Sequence, residues 1–150
     1  MADTDLIKLY SGRILELAAD IPLTERLAAP QASVKKRAPL CGSTVTVDLV
    51  VEDGRVAAFG QDVKACALGQ AAAAILGAHV IGRTRAEVEA TRKAVRAMLT
   101  DEGPPPMSPF EDFAVLAPAR DFRNRHASIM LALDATAEAF VDAEAAKDCA

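Results

Sequence analysis

The chain is 150 residues long, 51% apolar and 25% charged, with no Trp and one Tyr, which describes one soluble domain able to bury its own core. Its formal net charge of −4 argues against a dedicated nucleic-acid binder, and no apolar run reaches bilayer-spanning length. Three widely spaced cysteines make no disulfide framework and point to the reducing cytoplasm, and the charged stretch Met1 to Tyr10 does not read as a secretory signal.

Asp3-Thr4-Asp5 precedes Leu6, Ile7, Leu9, Tyr10, Ile14, Leu15 and Leu17, the spacing of an amphipathic helix that Asp3 or Thr4 can cap. A connector follows from Pro22 to Pro30. Ala32 to Arg37 predicts a short edge strand whose basic end discourages sheet-to-sheet association. The run Lys35-Lys36-Arg37 reads first as a solvated edge and second as a docking surface for an acidic partner.

Pro39-Leu40-Cys41-Gly42-Ser43 predicts a turn. From Thr44 the chain alternates, with Val45, Val47, Leu49 and Val51 on one face and Thr44, Thr46 and Asp48 on the other. Asp53-Gly54 is a tight hairpin signal, and Val56 to Phe59 returns as the partner strand, running through Gly60-Gln61-Asp62 towards Cys66. Cys41 thus precedes one strand of the hairpin and Cys66 follows the other. In an antiparallel pair those two ends coincide, so the thiols are predicted to be neighbours.

Cys66 is expected in the first turn of a helix rich in alanine, Ala71 to Ala74, whose small side chains let another element pack close. A helix N-terminus favours thiolate over thiol, yet this window alone reads first as a buried cysteine acting as a small hydrophobe. Thr84-Arg85-Ala86-Glu87 is a capping box opening a helix through Val88, Thr91, Val95, Met98 and Leu99. Gly103-Pro104-Pro105-Pro106 forms a stiff linker, and Phe110 to Leu116 a short helix. A last long helix is expected from Phe122 to Ala143, with Ile129, Met130, Leu133, Ala137, Phe140 and Val141 as its apolar stripe, and residues 144–150 as a flexible tail. Arg120, Arg123, Arg125 and His126 make its start basic, against the helix dipole.

There is no phosphate-binding loop, dinucleotide fingerprint, nucleophile elbow or Cys-x-x-Cys pair. His79 reads as a packing or surface residue, and His126, after a loop, is the better candidate ligand. Acid–base catalysis has little to work with, so the chain is not expected to be an enzyme. Thiolates suit iron–sulfur clusters, zinc and copper(I), and partly exposed ones accept persulfide sulfur.

On these motifs the chain resembles the NifU/IscU/SufU family of iron–sulfur cluster assembly scaffolds, from about Tyr10 to Phe140. The family's Cys-Gly-Asp turn is matched by Leu40-Cys41-Gly42-Ser43, and its second cysteine before a helix rich in Ala by Cys66 in Ala65-Cys66-Ala67-Leu68-Gly69. Its third cysteine, at the start of the C-terminal helix, falls on Ser128 in His126-Ala127-Ser128, and its auxiliary His on Ala127.

The resemblance implies an α+β fold across residues 1–150, a small three-stranded antiparallel sheet with helices packed on one face, SufE/NifU-like, and a long C-terminal helix. It further implies a transient 2Fe–2S or 4Fe–4S cluster, with zinc as the other candidate metal, on Cys41 and Cys66. Ser128 and His126 complete the expected metal set, and Ser43 and Arg125 stand beside it. Cys149 is a thiol without a role. The implied partners are a cysteine desulfurase and acceptor apo-proteins, with no nucleic acid or membrane, and a homodimer is left open. Because Ser43 and Ser128 stand where the family carries ligands, three other readings remain open. One is a degenerate paralogue acting as an interaction module, another a zinc-binding sulfur relay, and the last an unrelated small-molecule binding domain.

Overall fold

Alternation builds the central strand. In β2 (Thr44–Glu52) Val45, Val47 and Leu49 are buried under helices, while Thr44 and Thr46 look the other way and stay half-exposed. The computed structural model describes residues 11–149, with side chains to residue 146. β2 lies between β1 (Ala32–Arg37) and β3 (Arg55–Lys64) in an antiparallel sheet of order β1-β2-β3. Asp53 and Gly54 both take positive φ, 53° and 75°, so the β2–β3 turn matches the right-handed twist of its strands.

Ser11 caps α1 (Gly12–Ala19), its hydroxyl accepting from the Ile14 N–H at 3.4 Å. The expected cap at Asp3 or Thr4 lies outside the described residues. α2 (Ala67–His79) follows β3, and α3 (Arg85–Thr100) begins with both halves of the Thr84/Glu87 capping box formed. A 3-10 helix, Glu111–Asp121, replaces the short helix expected from Phe110 to Leu116, and α4 (Arg123–Cys149) ends the fold.

α4 lies across β1 and β2 and carries α2 and α3 on its other flanks. A helix packed on three sides buries residues nearly all round, so Leu131, Ala132, Ala135, Ala139 and Ala143 join the expected stripe in the core. Val141, expected in that stripe, turns to solvent instead. The helix also continues past Ala143, through the stretch expected as a flexible tail, to Cys149. No helix among the described residues is long and apolar enough to cross a membrane.

Asp48 was expected on the polar face of β2, yet it is fully buried there. The connector between α1 and β1 crosses that face and closes over it. Arg26 grips the carboxylate through Nε at 2.6 Å and a second guanidinium nitrogen at 3.0 Å, while the Leu27 N–H and Ser33 Oγ donate at 3.0 and 2.6 Å. Burial alone would raise the Asp48 pKa, but the hydrogen bonds from Arg26, Ser33 and Leu27, with the Arg26 charge, outweigh it and hold the carboxyl below its ordinary value. Glycine at position 60 lets the connector approach, because the Glu25 carbonyl occupies the space a Cβ would need. At the opposite end of this face, beyond the connector, Thr44 and Thr46 are half-exposed among the described residues.

Candidate functional site

Cys41 sits in the turn between β1 and β2. The Ala38 N–H donates to the Ser43 carbonyl at 2.8 Å and the Gly42 N–H to the Ala38 carbonyl at 2.9 Å, with Gly42 at φ +72°. This fold-back exposes Cys41 and buries Ser43. Cys66 is the N-cap residue of α2, one place before the turn in which it was expected. Its thiol caps no backbone N–H, and its Sγ meets Ser128 Oγ at 3.3 Å instead.

The hairpin brings the ends of β2 and β3 together as predicted, with Thr44 opposite Lys64. What joins the two cysteines is a run of four polar side chains. Cys41 Sγ lies 3.0 Å from Ser43 Oγ, Ser128 Oγ donates to Ser43 Oγ at 3.2 Å, and Ser128 Oγ reaches Cys66 Sγ. Three parts of the chain thus meet at one end of the sheet: the Cys41 turn, the start of α2 and the second turn of α4. Ser43 and Ser128 are 5% and 1% exposed, so the hydroxyl bridge is dry, whereas Cys41 opens to solvent.

Hydrogen bonds from the Ser43 hydroxyl and backbone N–H hold the Cys41 thiol below its ordinary pKa against its partial desolvation, with a lesser contribution from the Ser128 hydroxyl. A thiolate here faces donors on several sides, the arrangement that suits a nucleophile or a soft-metal ligand.

Gly69 makes the bridge possible. A Cβ at that position would lie 2.7 Å from Ser128 Oγ, 3.1 Å from the Ser128 carbonyl and 2.8 Å from the Ala65 Cβ. The sequence reading noted the small residues of this helix but not that this glycine admits the Ser128 side chain. An isolated glycine inside a helical pattern was the available signal.

His126, expected as a ligand, turns towards the 3-10 helix and away from the Cys41–Cys66 run. Its Nε2 is within hydrogen-bond distance of the Ala119 and Arg120 carbonyls, 2.9 and 3.1 Å, and it lines a separate hollow with Thr100 and Arg120. The 3-10 helix draws the ring there, because its carbonyls end beside the start of α4. Arg125, one turn before Ser128, is half-buried and makes no side-chain hydrogen bond or ion pair among the described residues. His79 packs edge-on against Phe110, with ring centroids 6.1 Å apart, as a packing residue. The Cys149 side chain lies outside the described ones. Among the described residues no group of three or more His, Cys, Asp or Glu side chains converges; what lies between the two thiols is the pair of hydroxyls.

No family model and no curated protein matches the chain. Among solved structures, it is similar to a nitrogen-fixing NifU-like protein (N-terminal) from Brucella abortus, 42% identical over 94% of this chain and 98% of that one, with a TM-score of 0.92. The fold is also that of an iron–sulfur cluster assembly scaffold protein for the SUF system, described as putative, from Fervidobacterium islandicum AW-1. That chain is 16% identical, with a TM-score of 0.78 over 89% of this chain and 98% of its own. A hypothetical protein at 18% identity shares the fold as well, with a TM-score of 0.80 over 90% and 98% of the two chains.

Proposed function

This chain belongs to the NifU/IscU/SufU-type family of scaffold proteins, and we propose that it accepts sulfur and iron on Cys41 and Cys66 and passes a transient iron–sulfur cluster to acceptor apo-proteins. The observation that carries this reading is the run Cys41–Ser43–Ser128–Cys66, which gathers two thiols at an open edge of the sheet with dry hydroxyls between them.

Sulfur arrives as a persulfide on a cysteine desulfurase. A site thiolate attacks its outer sulfur, the donor's S–S bond breaks, the donor leaves as a thiolate, and a persulfide remains on this chain. Iron would be held between the two thiolates, the matching soft ligands. The outer persulfide sulfur would become cluster sulfide by taking two electrons from an external thiol or electron-transfer reductant, which breaks the S–S bond and returns the site thiolate. The protein holds and hands over; it turns over no substrate of its own. Neutral Ser43 and Ser128 leave the site two anions short of the family's Asp and third Cys, which favours brief retention and ready release. Free thiols at Cys41 and Cys66 suit a reducing compartment such as the cytoplasm.

The same two serines favour a second reading, a zinc-binding sulfur relay, because tetrahedral zinc accepts two thiolates with oxygen ligands and needs no cluster chemistry. Anaerobic reconstitution with iron and sulfide, followed by absorption spectroscopy and iron, sulfide and zinc analysis, separates the two. A chromophore lost in Cys41→Ala and Cys66→Ala supports the scaffold and reports whether the cluster is 2Fe–2S or 4Fe–4S. Zinc without a chromophore selects the relay. Absence of any metal overturns both and leaves an interaction module.

A further inference from the structure

At the site end of the sheet, the outer face carries a grid fixed by strand register. Lys35, Thr46 and Asp62 form one row, and Arg37, Thr44 and Lys64 the next. Directly paired residues share a face, so the register puts all six on the face turned from the helices, with Arg37 at the strand end also bordering a hollow beside Glu89 and Asp134. Lys36 lies between Lys35 and Arg37 on the other face, where its Nζ bonds Glu138 of α4 at 3.3 Å.

Three of the six are cations and one an anion, on a chain whose net charge is −4. Lys35 and Arg37 make no ion pair among the described residues, and Lys64 reaches Asp62 only at 4.0 Å with its side chain 76% exposed. Where the connector covers this face, the buried charge of Asp48 is matched by Arg26; at the site end, among the described residues, Lys64–Asp62 at 4.0 Å is the one ion pair the three cations make. The grid also runs directly into the thiols. Arg37 leads to the Cys41 turn, Lys64 stands two residues before Cys66, and Leu40, 81% exposed, stands between grid and thiol as an apolar contact point.

We propose that this end of the sheet face, continuous with the Cys41 turn, docks an acidic surface of a partner protein. Charge complementarity selects the occupant, since an acidic patch is what a basic grid attracts and orients. Three cations fall short of the cluster that anionic lipid requires, and the grid offers no aromatic ring on which a nucleic-acid base could stack. That the docked partner delivers or receives sulfur rests on the scaffold reading; the surface itself does not.

The test is a titration of the 15N-labelled protein with an oligoglutamate peptide, followed by amide chemical shifts. The expected footprint covers Lys35, Arg37, Thr44, Thr46, Lys64 and the Cys41 turn, weakens with added salt, and loses about tenfold in affinity in the triple variant Lys35→Glu, Arg37→Glu, Lys64→Glu. Lys36→Glu, on the opposite face, leaves the affinity unchanged, and all variants are checked for an unchanged melting temperature. Shifts that are absent or centred elsewhere overturn the proposal, as does a DNA oligonucleotide or a phosphatidylserine vesicle that binds the same face more tightly than the peptide. The peptide still binds a Cys41→Ala, Cys66→Ala protein. A wild-type protein that takes no metal yet gives this footprint loses the scaffold reading and keeps the surface, and the reverse pattern loses only the surface.

Discussion

Ser128 Oγ donates a hydrogen bond to Ser43 Oγ at 3.2 Å, across 85 residues of chain, and through that one contact the long C-terminal helix is tied to the turn that carries Cys41. Both hydroxyls are buried, so the contact has no competing water and holds the two thiols in a fixed relation.

Replacing a thiol separates ligation from packing. Cys66→Ala and Cys41→Ala are each expected to abolish metal or cluster binding while costing about 1 kcal/mol or less in stability. Metal analysis paired with a thermal melt checks this. A large loss of stability with unchanged metal content would make Cys66 a core residue.

Adding one methyl at position 69 should damage the site from below. In Gly69→Ala the new Cβ meets Ser128 Oγ at 2.7 Å and Ala65 at 2.8 Å, so α2 and α4 must part. The expected cost is about 1–3 kcal/mol, measured by denaturant melts, together with weaker metal retention. Gly12, where a Cβ meets nothing, is the control, and its alanine variant should lose no stability.

Restoring a third thiolate should strengthen the site. Ser128→Cys puts a sulfur between Cys66 and Ser43, and a reconstituted cluster should then survive a chelator several-fold longer. A rate unchanged from wild type would mean that position 128 does not face the metal.

Cys41 should alkylate with a pH midpoint below that of an ordinary thiol, because Ser43 donates to its thiolate. Ser43→Ala removes the hydroxyl donor and should move the midpoint of the iodoacetamide rate profile upward. The backbone N–H of residue 43 remains, so the shift is expected to be partial.

Asp48 sets an acid limit on stability. Its pKa in the folded chain lies below the unfolded value of about 3.9, so its contribution is complete above that value and is lost as the pH falls through the folded pKa. Asp48→Ala leaves the Leu27 N–H and Ser33 hydroxyl without their acceptor and should cost about 2–4 kcal/mol at neutral pH. It should also flatten the acid limb of a stability–pH curve, and a limb as steep as in wild type would assign that limb to other groups.

Much of the fold is written locally. The alternation from Thr44 to Val51, the Asp53-Gly54 turn and the Thr84–Glu87 box each act within a few residues, so strand, hairpin and helix start were legible. The nearness of Cys41 to Cys66 followed from the hairpin alone, because antiparallel pairing leaves no other place for the two strand ends. Other features depend on partners distant in sequence. Asp48 looked like a solvent-facing residue because nothing near it announces that Arg26 and Leu27 will fold over it. His126 was singled out because its helix begins after a loop, and nothing near it in sequence announces that its ring turns to the Ala119 and Arg120 carbonyls. The sequence by itself determined where thiols and hydroxyls stand along the chain, since these are fixed by residue type. Only the tertiary structure decided that Ser43 and Ser128 touch, through a close approach of α2 and α4 at Gly69 that no local rule requires.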